Sequence, residues 1–292
     1  LYYGDESSLI NLFGVQGKPV MQQNLYVRLC REASKESRSI NFDSGVWEDG
    51  KFWFFSKSYN GLFEMDLSSG QVSYLGSVPG EEAVESNLYS KILSCGDDLW
   101  LIPNQARRMA KYSRSEKCFT SYSLPGGEKL QAQKIYGSYV KKPWIYLIPG
   151  DYSRLLQFSL KDGSCSETVL KLDEKEKPEG FCRGDAQLNL QEAEGKLYAC
   201  ICDSNCILEW DLEHGKTAVY TIGEKNNGYC QILYDGTYFW LIPYLKGNLV
   251  RWNKENGEVR EFLDYPEDFQ AVYRFSAAIC LGDYLWLFPA WP

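Results

Sequence analysis

The chain has 292 residues, 44% hydrophobic and 24% charged, with 21 Tyr, 14 Phe, 9 Trp and one His. Its net charge of −8 excludes a general nucleic-acid binder, which needs a basic face. The single histidine, His214, excludes any site built on two imidazoles, and no run of 18 apolar residues is present to insert into a membrane. An aromatic composition with 25 Gly points to all-β structure.

Residues 1–38 match no complete repeat. Leu9-Ile10-Asn11-Leu12, followed by Gly17, is similar to a third strand and its turn, and Asn24–Leu29 is a second strand candidate. From residue 39 onward one unit recurs. Its centre is an apolar segment around an aromatic: Trp53, Trp100, Tyr146, Tyr198, Trp240 and Trp286, spaced 47, 46, 52, 42 and 46 residues apart. A second landmark follows the first five at a constant 12 residues: Met65, Tyr112, Phe158, Trp210 and Trp252. A turn signal comes next, with its ends four residues apart: Asp66…Gly70, Ser159…Gly163, Asp211…Gly215 and Asn253…Gly257. The second repeat departs here, with Ser113…Lys117.

An alternating segment closes each unit, and a short apolar run ending in Gly or Asp precedes each central aromatic. Four short antiparallel strands, here called a to d, in about 40–50 residues make one propeller blade. Period-two alternation argues for strands, and the Pro ending strand b marks its exit from the ladder. The expected fold is a single six-bladed β-propeller over 1–292, with blades near 39–80, 87–126, 132–172, 181–222, 228–263 and 273–292. Strands of the first complete blade are expected near 39–47, 51–56, 61–67 and 71–76. Twelve residues beyond Trp286 lies past Pro292, so the last blade is expected to take its outer strands from residues 1–38.

These units resemble the blades of the kelch, NHL and PQQ-type propeller families over about residues 39–292. The resemblance is architectural. The paired glycines of a kelch unit and the Gly-His…Trp-Asp signature of WD40 repeats are missing. It implies a fold and little chemistry.

The ten cysteines are irregularly spaced and several lie inside strand-like runs, so they are expected to be free thiols in a reducing, cytoplasmic home. An extracellular home would follow if a signal peptide had been removed. Cys200, Cys202 and Cys206 lack a fourth ligand nearby in sequence, so neither a metal nor a cofactor is expected. Ser39–Trp47 faintly echoes a sialidase Asp box, but it precedes strand b and is not repeated.

In a propeller the first strand of each blade lines a central channel. Counting back from the b-strand aromatics places Ser44, Lys91, Lys134, Gln187, Gln231 and Ala277 near one level of that ring. Aromatics stand two residues earlier in four blades, among them Tyr89 and Tyr229. Asp43 and Asp185 lie beside this level, and the b–c loops add Arg107, Tyr152 and Trp291. Such a polar, cationic and aromatic set would attract an anionic or polar ligand, a peptide or a protein. The expected function is a non-catalytic binding or scaffold module. The alternatives are a propeller enzyme (lyase, hydrolase, or peptide- or sugar-modifying) using Lys91, Lys134, Tyr89, Tyr229, Asp43 or Asp185 as acid, base or electrostatic groups, and a glycan-binding module.

Overall fold

The computed structural model describes residues 42, 44–82, 85–125, 134–150, 154–170, 190–201, 204–224, 228–243, 247–262, 275–282 and 284–289, with backbone alone at 276, 277 and 289. The first sheet runs β1 (Gly45–Glu48), β2 (Lys51–Phe55), β3 (Leu62–Asp66), β4 (Val72–Gly76). The second runs β5 (Tyr89–Cys95), β6 (Asp98–Pro103), β7 (Met109–Ser113), β8 (Cys118–Tyr122). The third comprises β9 (Ile135–Lys141), β10 (Trp144–Pro149), β11 (Arg154–Ser159) and β12 (Cys165–Val169). The fourth comprises β13 (Gln191–Ala193), β14 (Lys196–Cys200), β15 (Cys206–Asp211) and β16 (Thr217–Thr221). The fifth holds β17 (Tyr229–Tyr234), β18 (Phe239–Pro243), β19 (Leu249–Trp252) and β20 (Val259–Phe262); the sixth holds β21 (Phe275–Leu281) and β22 (Tyr284–Pro289).

Five of these sheets are four-stranded with their strands in sequence order, and the sixth has two strands. Among the described residues there is no helix. The expected blade unit is therefore present, and the fold is that of a β-propeller. The segment expected to complete the sixth blade lies outside the described residues.

The spacing of the landmarks has a simple cause. Antiparallel pairing puts Phe52 opposite Met65, Leu99 opposite Tyr112, Leu197 opposite Trp210 and Phe239 opposite Trp252. A constant b–c hairpin length keeps that register. The turn after each c strand is equally regular. The amide of the fifth turn residue donates to the carbonyl of the first at Gly70–Asp66, Lys117–Ser113, Gly163–Ser159, Gly215–Asp211 and Gly257–Asn253. That residue has a positive φ each time, which Gly adopts freely and Lys117 does not.

Asp66 caps its turn by accepting from the Ser68 hydroxyl and the Ser69 amide, and these bonds pull its carboxyl down to about 2. A depressed folded pKa means that its contribution is present above about 3.8 and is lost as the pH falls towards 2. Acidification through that window is expected to speed amide exchange at Ser69 and Gly70, after correction for intrinsic rates. Unchanged exchange would contradict the capping role.

The chain forms two compact units, residues 1–135 with 159–165, and 136–158 with 166–292. In the first unit Trp53, Phe55, Leu62, Leu88, Ile92, Leu99 and Leu101 form a core between the first two blades. The second unit has its own core, including Tyr146, Leu197, Tyr198, Ile207, Trp210, Phe239 and Trp252. Tyr146 meets Trp210 edge-on at 5.1 Å, and Tyr198 meets Phe239 at 4.5 Å, so aromatics join successive blades.

Candidate functional site

Of the residues singled out from the sequence, Asp43, Tyr152, Asp185, Gln187 and Trp291 lie outside the described residues. The others fall into two groups, one in each compact unit. In the first unit Lys91 sits mid-strand on β5, half-buried, and burial pulls its pKa below the ordinary lysine value. Tyr89, two residues earlier, is buried and stands edge-on to Phe55 at 4.9 Å. Its hydroxyl finds no hydrogen-bond partner among the described residues, and burial, then the Glu81 charge, push its pKa up. Arg107 is exposed, and its amide donates to Glu81 Oε1 at 3.0 Å. Burial raises the Glu81 pKa against those bonds. Lys134 is exposed and stands just before β9.

In the second unit Tyr229 is fully buried and donates its hydroxyl to the Ile222 carbonyl at 3.1 Å. Gln231 is half-buried and forms a two-bond clip to the next blade. Its Nε2 donates to the Ala278 carbonyl at 2.8 Å, and its Oε1 accepts the Ala278 amide at 2.8 Å. The equivalent Ser44 in the first unit accepts the Ile92 amide at 3.4 Å. Ile92 and Ala278 occupy the same repeat position, eight residues before Trp100 and Trp286. Polar residues at this level thus fasten a blade to its successor's backbone.

The ring level stands nine residues before the aromatic at Ser44, Lys91 and Gln231. Nine before Tyr146 is Gly137, where an added Cβ would come within 3.0 Å of Leu190. Lys134 lies three residues outside that level. Two residues separate β9 from β10, as they separate β5 from β6, so the offset of nine holds in the third blade and Lys134 falls before it.

The chemistry-bearing groups elsewhere are held by structure. His214 lies on an exposed turn, with Nδ1 3.1 Å from Asp211 Oδ2. Cys200 and Cys230 are thiols whose pKa burial pushes up, to about 11 for Cys230. Among the described residues no group of three or more His, Cys, Asp or Glu is arranged to hold a metal. No described helix is long and apolar enough to cross a membrane.

A feature that residue-by-residue reading missed is a charged cluster between blades. In the fourth blade Glu209, opposite Tyr198, takes Lys196 Nζ at 2.6 Å, Lys254 from the fifth blade, and the Tyr220 hydroxyl at 3.2 Å. In the first blade the matching Glu64, opposite Trp53, takes Lys51 Nζ at 2.7 Å and the Trp53 Nε1 hydrogen at 3.0 Å. Lys and Glu stand two residues before and 11 after the central aromatic in both blades, which is the signal that would have found them.

No protein-family model and no curated protein matches the chain. Solved structures do. A catalytically inactive histidine-to-alanine variant of virginiamycin B lyase from Staphylococcus aureus, with quinupristin, aligns at TM-score 0.63 and 14% identity, over 86% of this chain and 84% of that one. The selenomethionine form of that lyase aligns at 0.59 and 16%, over 78% and 71%. An extracellular domain of a hybrid two-component system from B. thetaiotaomicron aligns at 0.60 and 14%, over 85% of this chain and 31% of that one. At such identities the likeness shows the fold, and that fold is the β-propeller.

Proposed function

We propose that this chain is a non-catalytic binding module whose loop face, around Lys91, Lys134 and Arg107, recognises an anionic or polar ligand, a peptide or a protein. The propeller neighbours include both an enzyme and a sensor domain, so the fold alone does not choose. The observation that carries the reading is the position of the only histidine. The lyase neighbour is described as inactive when a histidine becomes alanine, whereas His214 is tied to Asp211 on an exposed turn. The buried thiols have raised pKa values and are poor nucleophiles. Lys91, Lys134 and Arg107 give the first unit a set of cationic side chains, which suits recognition of an anionic group. The thiols of Cys118, Cys200, Cys206, Cys230 and Cys280 suit a reducing compartment.

The test is affinity capture from native lysate with the wild-type chain and the Lys91→Ala/Lys134→Ala variant side by side. Removing each charge-assisted hydrogen bond is expected to weaken binding by about 1.5–3 kcal/mol. A partner recovered equally by both places the working surface elsewhere.

A further inference from the structure

A groove of 640 Å³ opens between the first two blades, within one compact unit. Its walls are Trp53, Tyr112 and Leu75, and its rim carries Lys51, Arg114 and Lys117. The repeat supplies a reference for what this space would otherwise be. The equivalent position between the fourth and fifth blades is filled by Tyr220 and Lys254, both bonded to Glu209.

Three substitutions at matched positions open the groove. Leu75 stands 22 residues after Trp53, where Tyr220 stands 22 after Tyr198, so no hydroxyl reaches Glu64 from that position. Glu48 stands where Ala193 does, five residues before the aromatic. It draws Arg114, the counterpart of Lys254, to itself at 2.8 Å and away from Glu64. Arg114 then lies over the Trp53 ring at 4.8 Å and forms part of the groove lining. Lys117 stands where the four other blades have Gly70, Gly163, Gly215 and Gly257. It holds φ 55°, a left-handed conformation that is unfavourable for a side-chain-bearing residue and free for Gly.

The charges decide the sign of the ligand. Lys51 is matched by Glu64 and Arg114 by Glu48, while Lys117 has no side-chain partner among the described residues. The rim is therefore net positive on a chain of net charge −8. The shape decides its form. Four consecutive residues of β4, Ser73 to Gly76, line the groove, and β4 is the terminal strand of its sheet. Leu75 also escapes the ladder, since Leu62 pairs with Gly76 and Phe63 with Tyr74. In the filled counterpart Ile207 pairs with Tyr220 without a bulge. As the terminal strand of its sheet, β4 offers the backbone groups of its outer edge to an added strand, and the bulge is confined to Leu75.

We infer that this groove binds an acidic, extended peptide laid along the outer edge of β4, with an aliphatic or aromatic side chain against Trp53, Leu75 and Tyr112 and a carboxylate at Lys117. The site is separate from the loop face proposed above and does not rest on it.

The probe is a fluorescein-labelled hexapeptide alternating glutamate with leucine or tryptophan, read by fluorescence anisotropy on the full chain. The glutamate peptide binds the wild type, and its lysine-for-glutamate counterpart does not. Lys117→Gly restores the turn residue of the other blades, so it keeps or raises the melting temperature while weakening the peptide about tenfold or more. Leu75→Tyr fills the groove as Tyr220 does and abolishes binding. Lys91→Ala/Lys134→Ala leaves it unchanged. Absence of binding to the wild type overturns the inference, as does binding that survives Lys117→Gly. Should Leu75→Tyr fail to fold, Lys117→Gly decides. Binding lost only in the Lys91→Ala/Lys134→Ala variant also overturns the groove and assigns the peptide to the loop face.

Discussion

Replacing Glu209 by Ala is expected to cost about 3–5 kcal/mol of folding stability. Glu209 is only 5% exposed, and it is the shared acceptor of Lys196, Lys254 and Tyr220. Lys254 also donates to the Tyr198 hydroxyl at 2.8 Å and lies over the Tyr198 and Tyr220 rings. Removing the carboxylate strands two ammonium groups beside aromatic faces and leaves a cavity. The remaining charges reach some water, which favours the lower end of the range. Burial raises the Glu209 pKa, but bonds from Lys196, Lys254 and Tyr198 outweigh it and hold the carboxyl below its ordinary value. The contribution is therefore present above the unfolded pKa of about 4.3 and disappears as the pH falls through the folded value. Denaturant unfolding of wild type and Glu209→Ala at pH 7 and again near pH 3 checks both statements. A difference below 1 kcal/mol at neutral pH, or one that grows on acidification, would count against them. Glu64→Ala should cost less, because its side chain is more exposed and its neighbour Arg114 is already held by Glu48.

Removing residues 1–38 is expected to lower the melting temperature by at least about 10 °C and to broaden the transition. The sixth sheet has two strands where each of the others has four. Cross-strand pairing puts Ile279 opposite Trp286 and Leu281 opposite Tyr284, so these large side chains share one face. Trp286 is 53% exposed there, against 3% for Trp53 and 2% for Trp100 at the same repeat position. Such an apolar face, and a β22 edge with no second partner strand among the described residues, need covering to be stable and soluble. Residues 1–38 hold the two strand candidates, Leu9–Leu12 with Gly17 and Asn24–Leu29, and the outer strands of the sixth blade are expected from this segment. Circular dichroism melts and size-exclusion chromatography of chains starting at residues 1 and 39 check this. An unchanged melting temperature in a monomeric shortened chain would refute the assignment.

The blade strands were legible because their signals are local. Register within a hairpin fixes the 12-residue interval, and a left-handed residue closing a turn fixes the four-residue one. The expected strands at 51–56, 61–67 and 71–76 match β2 to β4 closely, and the one expected at 39–47 overlaps β1 at Gly45–Glu48, with 39–41 and 43 outside the described residues. Packing between blades was much less legible. Gln231 reads as a free amide in sequence, yet it clips Ala278, which lies 47 residues away. Lys134 reads as a ring residue in sequence, yet the offset of nine shared by Ser44, Lys91 and Gln231 falls on Gly137 in the third blade. The groove left one trace, the replacement of a turn glycine by Lys117, and its meaning emerges only beside Trp53 and Leu75.

The proposed function requires that this propeller bind its ligand and release it unchanged. Calorimetric titration of the captured partner or small molecule into the wild-type chain, followed by mass measurement of the recovered ligand, tests it directly. The heat is expected to saturate at a fixed stoichiometry and to shrink in the Lys91→Ala/Lys134→Ala variant, with the ligand mass unaltered. Heat that continues beyond saturation, together with a ligand of changed mass, would show a catalyst instead.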